Sequence, residues 1–164
     1  MSETKTKDET PSPAVGMIEF FVPGPPVAQQ RAKTKIKKII GGGVKIIGKY
    51  DPQKCVDFKN HVADLAFAAV RESFASDVAI GLEMVFYLPR PPSISIKKRL
   101  FPVKKPDWDN LGKGPSDAME SIVYYKDSQV VDCRVRKFYA DNGQPVGAQV
   151  KVWQIKTPTE AGVS

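Results

Sequence analysis

Two aspartates stand two residues apart in Lys105-Pro106-Asp107-Trp108-Asp109-Asn110-Leu111-Gly112-Lys113, and Asp127 follows after a helix-sized spacer. A fold that gathers these carboxylates must also neutralise them, because they repel one another unless a cation sits between them. Oxygen donors of this kind suit magnesium or manganese. The surrounding chain is basic, with 25 Lys and Arg against 18 Asp and Glu and a net charge of +7. The anionic substrate that matches is nucleic acid. Together these features point to a metal-dependent phosphodiesterase.

The distribution of charge says more than its total. Arg31, Lys33, Lys35, Lys37, Lys38, Lys45 and Lys49 form one block without an acid. Arg90, Lys97, Lys98, Arg99, Lys104 and Lys105 form a second, which runs directly into the acidic motif. Basic surface flanking a carboxylate site is what a DNA-cutting enzyme needs: cations hold the backbone and acids hold the metal. Arg31, Lys33, Lys35, Lys37 and Lys38 in the first block, and Lys97, Lys98, Arg99, Lys104 and Lys105 in the second, are therefore the candidate DNA contacts.

Composition removes several alternatives. There is one histidine, His61, which argues against zinc hydrolases with several histidine ligands and against nucleases with a histidine base. Cys55 and Cys133 make neither a metal-type pair nor a disulfide framework, and read as reduced thiols of a cytoplasmic protein. No apolar run has membrane-spanning length, and no signal-peptide pattern opens the chain. The 164 residues suit one domain over 16–157. Polar tails over 1–15 and 158–164 flank it.

Along the chain, Met17 to Val22 reads as a strand closed by Pro23-Gly24-Pro25-Pro26. Lys33–Ile40 and Val44–Gly48 flank Gly41-Gly42-Gly43 and predict a lysine-bearing β-ribbon. Helical spacing of apolar residues predicts an amphipathic helix over Pro52–Phe74, carrying His61 on its surface. Ala79–Leu88 reads as a strand and Pro89–Lys105 as a Pro- and Lys-rich loop. Asp109 or Asn110 can cap a helix running to about Ser121. Val130–Tyr139 and Val146–Ile155 read as two closing strands, with the hairpin signal Asn142-Gly143 between them. Strands and helices do not alternate regularly. The expected fold is α+β, a single domain with a mixed, mostly antiparallel sheet packed against two main helices on one side.

If Asp107 and Asp109 are extended, their side chains leave the same face, roughly 6–7 Å apart along the chain. If Asp109 begins a helix, the pair sits at its N-terminus. Either arrangement lets two carboxylates converge on one cation, or on two cations about 3.5–4 Å apart. Lys113 and Asp117 then follow at one-turn intervals on the same face. There an ammonium can stabilise the charge that builds up on phosphorus. Taken singly, these residues also read as a turn, a helix cap and a surface ion pair; their order and their basic flanks set them apart.

The ordered series Pro106-Asp107-Trp108-Asp109-Asn110-Leu111-Gly112-Lys113, Asp117-Ala118-Met119, Asp127-Ser128-Gln129-Val130 and Lys137 closely resembles the RusA family of Holliday-junction resolvases. Gly24-Pro25-Pro26 and Arg31 resemble that family's early Pro-rich segment, so the resemblance spans roughly Ile18 to Ile155. It implies that Asp107, Asp109 and Asp127 are metal-binding carboxylates and Lys113 the catalytic lysine. It also implies a homodimer that uses Mg2+, with Mn2+ as a substitute, to nick two opposed strands of a four-way junction in DNA recombination and repair. Lys126 stands where the family often has a second acid, which leaves Asp127 the one carboxylate at that corner. Gly112, Gly114 and Pro115 replace helix formers and predict a kinked or late-starting helix.

The Pro-Asp…(Asp/Glu)-x-Lys arrangement of restriction-like nucleases is set aside. No Asp-x-Lys or Glu-x-Lys follows Pro106-Asp107, and the nearest segment is Asp132-Cys133-Arg134. The reading that competes from another class is a non-catalytic basic DNA-binding protein whose acids are structural.

Overall fold

In the computed structural model, which describes residues 16–156, the apolar run at Ile80–Leu88 becomes one of the two inner strands of the main sheet. The elements in chain order are β1 (Met17–Pro23), β2 (Lys33–Ile39), β3 (Gly43–Tyr50), α1 (Gln53–Ala69), β4 (Ile80–Leu88), α2 (Trp108–Met119), β5 (Val130–Tyr139) and β6 (Gly147–Gln154). A short 3-10 turn, Asp127–Gln129, leads into β5. The main sheet has the order β1-β6-β4-β5, and β2 and β3 form a separate two-stranded ribbon. β4 runs antiparallel to β6 and parallel to β5, while β1 and β6 are antiparallel. The chain is a single α+β domain with a mixed sheet.

No residue of β4 is exposed, which is why it reads as a continuous apolar run and not as an alternation. Ile80, Leu82, Met84, Phe86 and Leu88 point to the face that both helices cover. Phe58, Val62 and Ala66 of α1, with Leu111 and Met119 of α2, meet them there beside Val150 and Val152 of β6. Each fully buried side chain of this size contributes about 1.5–3 kcal/mol relative to exposure. On the opposite face Trp153 lies so close over Gly81 that a Cβ there would overlap the indole, so that strand position requires glycine.

Three boundaries depart from the sequence reading. The helix expected over Pro52–Phe74 ends at Ala69, where Val70 turns extended. Beyond it, Phe74 N–H donates to the Val123 carbonyl (2.9 Å) and Ser73 Oγ to the Ile122 carbonyl (2.6 Å), so tertiary hydrogen bonds take over from the helical ladder. The hairpin expected between the last two strands does not form. Asn142 and Gly143 do adopt positive φ, and Gln144 N–H bonds the Asp141 carbonyl (3.1 Å), but the strands then part. β4 lies between them, because a strand buried on both faces needs a hydrogen-bonded neighbour on each side. The expected tails, 1–15 and 158–164, lie outside the described residues.

The third departure concerns α2, which does not start late: it begins at Trp108 and continues through Pro115 to Met119. Gly112 explains much of this. A Cβ at Gly112 would stand 3.1 Å from Val135 Cγ2 and 3.2 Å from Met84 Cε, so its absence lets α2 lie directly on β4 and β5. The parallel β4–β5 pair needs a crossover, and α2 is that crossover. The acidic motif is thereby carried onto the sheet at the point where β5 begins.

Candidate active site

Asp109, Lys113 and Asp117 recur at four-residue intervals and share one face of α2. With Asp127 of the 3-10 turn and Cys133 of β5 they line a cleft of about 210 Å³, floored by Met84 and Val135. Lys113 Nζ donates to Asp117 Oδ1 (3.1 Å). The opposite oxygen of Asp117 lies 3.6 Å from Lys59 Nζ, which also pairs with Asp51 (3.3 Å). A line of alternating charges thus runs from the cleft to the root of the β2–β3 ribbon.

Asp107 stands apart from this group. It holds the extended position before α2, and its carbonyl accepts from Leu111 N–H (3.1 Å). It lines a second cavity, on the other side of the first turn of α2, together with Asn110 and Lys105. Among the described residues no three Asp, Glu, His or Cys side chains come within reach of a single ion. The donor set still fits magnesium or manganese: Asp109 and Asp127 supply hard oxygen donors to one cleft. Such ions are held by one or two carboxylates together with substrate phosphate.

The hydrogen bond and the charge of Asp117 hold the Lys113 ammonium above the usual lysine range, with smaller contributions from Asp127 and Glu120 against partial burial. Its folded pKa is raised, so any stabilisation by the ammonium is complete below the unfolded lysine value and disappears as pH rises through the folded one. Asp117→Asn removes the largest cause. If Lys113 assists phosphodiester cutting, the alkaline fall in the single-turnover rate moves to lower pH in that variant. An unshifted alkaline limb would separate Lys113 from the reaction. Burial, with Asp132 nearby, pushes the Cys133 thiol up, so it lines the cleft as a neutral group.

Several residues hold the site in ways that the sequence reading did not assign to them. Gln129 is buried; its Nε2 donates to the Ala75 (2.7 Å) and Val78 (3.1 Å) carbonyls. Its Oε1 accepts from the N–H groups of Tyr125 (2.8 Å) and Lys126 (3.1 Å), which fixes the turn carrying Asp127. Lys137 Nζ donates to the carbonyls of Lys104 (3.0 Å) and Pro106 (2.8 Å), anchoring the approach to Asp107. Both residues stand inside the ordered motif series, so the sequence carries the signal, but their partners are backbone carbonyls far away in the chain. Tyr124, fully buried, donates to the Ser116 carbonyl (2.9 Å), and burial pushes its hydroxyl well above the ordinary tyrosine value.

The candidate DNA contacts divide into two groups. Lys33, Lys35, Lys37 and Lys38 are exposed on the ribbon, with Arg31 exposed just before it. Cross-strand pairs share a face. Lys33, Lys35 and Lys37 therefore face one way with Lys45, while Ile36, Val44 and Ile46 face the other with Lys38. In the loop after β4, Lys97, Lys98, Lys104 and Lys105 are exposed and Arg99 is half-buried. Arg90 shapes that loop: its guanidinium grips Asp141 through two bonds (2.8 and 2.7 Å), donates to the Arg99 carbonyl (2.7 Å) and lies 4.1 Å over the Tyr139 ring.

Fold and site define a mixed-sheet α+β domain with a carboxylate- and lysine-lined cleft on a basic surface. The profile of the family described as "Endodeoxyribonuclease RusA" matches residues 23–152, and the chain belongs to that family. A Bacillus subtilis (strain 168) protein, the uncharacterized protein YqaN, is 37% identical over 133 residues, which cover 76% of this chain and 89% of that protein.

Proposed function

We propose that this chain is a structure-selective, metal-dependent endodeoxyribonuclease that resolves Holliday junctions and related branched DNA in recombination and repair. The observation that carries the reading is the cleft in which Asp109, Lys113, Asp117 and Asp127 come together, on a chain of net charge +7 within an endodeoxyribonuclease family. Asp109 and Asp127, with Asp107 at the neighbouring turn, are the proposed carboxylates for Mg2+, with Mn2+ as substitute. When bound, the ion supplies Lewis-acid stabilisation of the phosphate and of the attacking oxygen.

The chain's own residues do the rest. Lys113, held cationic by Asp117, places positive charge where negative charge builds up on phosphorus. Water adds to phosphorus, the bond to the 3′ oxygen breaks, and 5′-phosphate and 3′-hydroxyl ends result. Gln129 and Lys137 keep the turns that bear the acids in place. The proposed unit is one catalytic domain over 16–157, acting in the cytoplasm as a homodimer. A four-way junction has two-fold symmetry, and two opposed nicks call for two related sites.

A synthetic four-way junction and a linear duplex of the same sequence, each with magnesium, with manganese and with chelator, test the proposal. Paired, symmetrical nicks in the junction that vanish with chelator are expected. Tight junction binding with no cutting under either metal would leave a non-catalytic basic DNA-binding protein.

The ribbon gives a further expectation. Changing Lys35, Lys37 and Lys45 together to glutamine removes three cations from one face. It should weaken junction binding and lower the slope of log affinity against log salt by roughly 2–3, at about 0.9 per phosphate contact. An unaltered slope would exclude this face as a phosphate contact.

A further inference from the structure

The second cavity, which Asp107 lines, opens on the other side of the first turn of α2 from the cleft that holds Asp109, Lys113 and Asp127. Its volume is about 520 Å³, within the range of small-molecule sites. Pro26, Val27, Ala28 and Pro106 give it apolar walls, and Gln30, Asn110, Lys54 and Lys105 open onto it. Among the described residues, Lys54 and Lys105 have no acid within ion-pair distance. Among the described residues, the side-chain amides of Gln30 and Asn110 bond no protein group. Two cations without an ion-pair partner, two unengaged amides and apolar walls are the complement of a single nucleotide: phosphate, base edge and base face.

Its placement adds a direction. The Gln29 N–H donates to the Asn110 carbonyl (2.7 Å), which ties the segment before the ribbon to α2. One turn of α2 then separates the cavity, with Asp107 and Asn110, from the cleft, with Asp109 and Lys113. A strand whose phosphate lies in the cleft has its neighbouring nucleotide within reach of the cavity.

We infer that the cavity receives one nucleotide next to the scissile phosphate, with its base drawn out of the stack and its edge read by Gln30 and Asn110. This rests on the junction-cutting reading. At a branch point the stack is already interrupted, so extruding a base there costs less than in continuous duplex. Amide side chains that bond both a donor and an acceptor on one base discriminate it from the others. Lys54 and Lys105 hold the adjoining phosphate and add affinity without discrimination.

The test places 2-aminopurine, a base that brightens when unstacked, at each position flanking the branch of a synthetic junction. Binding is followed without divalent metal, so no cutting intervenes. The expected result is a bright position for the wild-type chain and a preference among the four bases at that position, read as affinity. In Gln30→Ala that preference falls about 10-fold, the size of one amide–base pairing. In Lys54→Ala affinity falls for all four bases alike and the preference stays. No bright position in the wild-type complex, or an unchanged base preference in Gln30→Ala, overturns the inference. Cutting under magnesium is scored separately on the same junctions. Brightening without cutting keeps the cavity and rejects the nuclease, cutting without brightening does the reverse, and absence of binding rejects both.

Discussion

The Asp109→Asn variant should cut four-way junctions roughly 10²–10³-fold more slowly than the wild-type chain and still bind them. Asparagine keeps the size of the side chain and one oxygen, and removes the charge that a hard cation needs from the cleft. Asp109 is exposed in the first turn of α2, so the change should shift stability by no more than about 0.5 kcal/mol. Binding should hold or tighten, because one negative charge facing the phosphates is gone. Single-turnover cutting under magnesium, paired with a gel-shift isotherm in chelator, reads both effects. A variant that cuts within a few-fold of wild type would remove Asp109 from the reaction, and with it the role given to the cleft. Loss of binding together with cutting would mean that the change had disturbed the DNA surface and not the chemistry.

The chain order of these residues is legible in the sequence alone, because it depends on local spacing. Asp109, Lys113 and Asp117 share a helix face by periodicity, and the strands over Met17–Val22 and Val130–Tyr139 fall where β-prone runs and turn residues put them. The lysine-bearing ribbon is equally plain from its glycine tip. What local pattern cannot supply is neighbourhood. The Asn142-Gly143 turn has the backbone a hairpin uses, yet β5 and β6 separate around β4, because the demand that divides them comes from a strand some fifty residues earlier. Gly112 reads as a weakness in a helix and is the contact that seats α2 on Val135 and Met84. Asp107 and Asp109, close neighbours in the chain, open onto different hollows, since the first turn of α2 passes between them. Gln129 and Lys137 stand in the motif without a visible purpose, because what they bond is main chain brought close by the fold.

Gln129 therefore supports the second large expectation, in which fold and site fail together. Its amide makes four hydrogen bonds, two given to carbonyls of the Ala75–Val78 turn and two taken from the N–H groups that precede Asp127. Leucine fits the same space but offers none of them, so Gln129→Leu leaves buried or half-buried donors and acceptors without partners. Each such orphan costs about 1–3 kcal/mol, and partial access of water at the turn reduces the sum to roughly 3 kcal/mol. The urea midpoint should fall accordingly, whereas Ser128→Ala, at an exposed neighbour, should leave it within error. Cutting should fall by more than the unfolded fraction explains, even at temperatures where the variant is fully folded. The reason is that the turn carrying Asp127 loses the two N–H anchors that fix it across the cleft from Asp109. A Gln129→Leu chain with a wild-type midpoint would show that the amide is dispensable to the fold. A midpoint that falls while folded-state cutting stays intact would show that Asp127 is held, or is needed, in some other way.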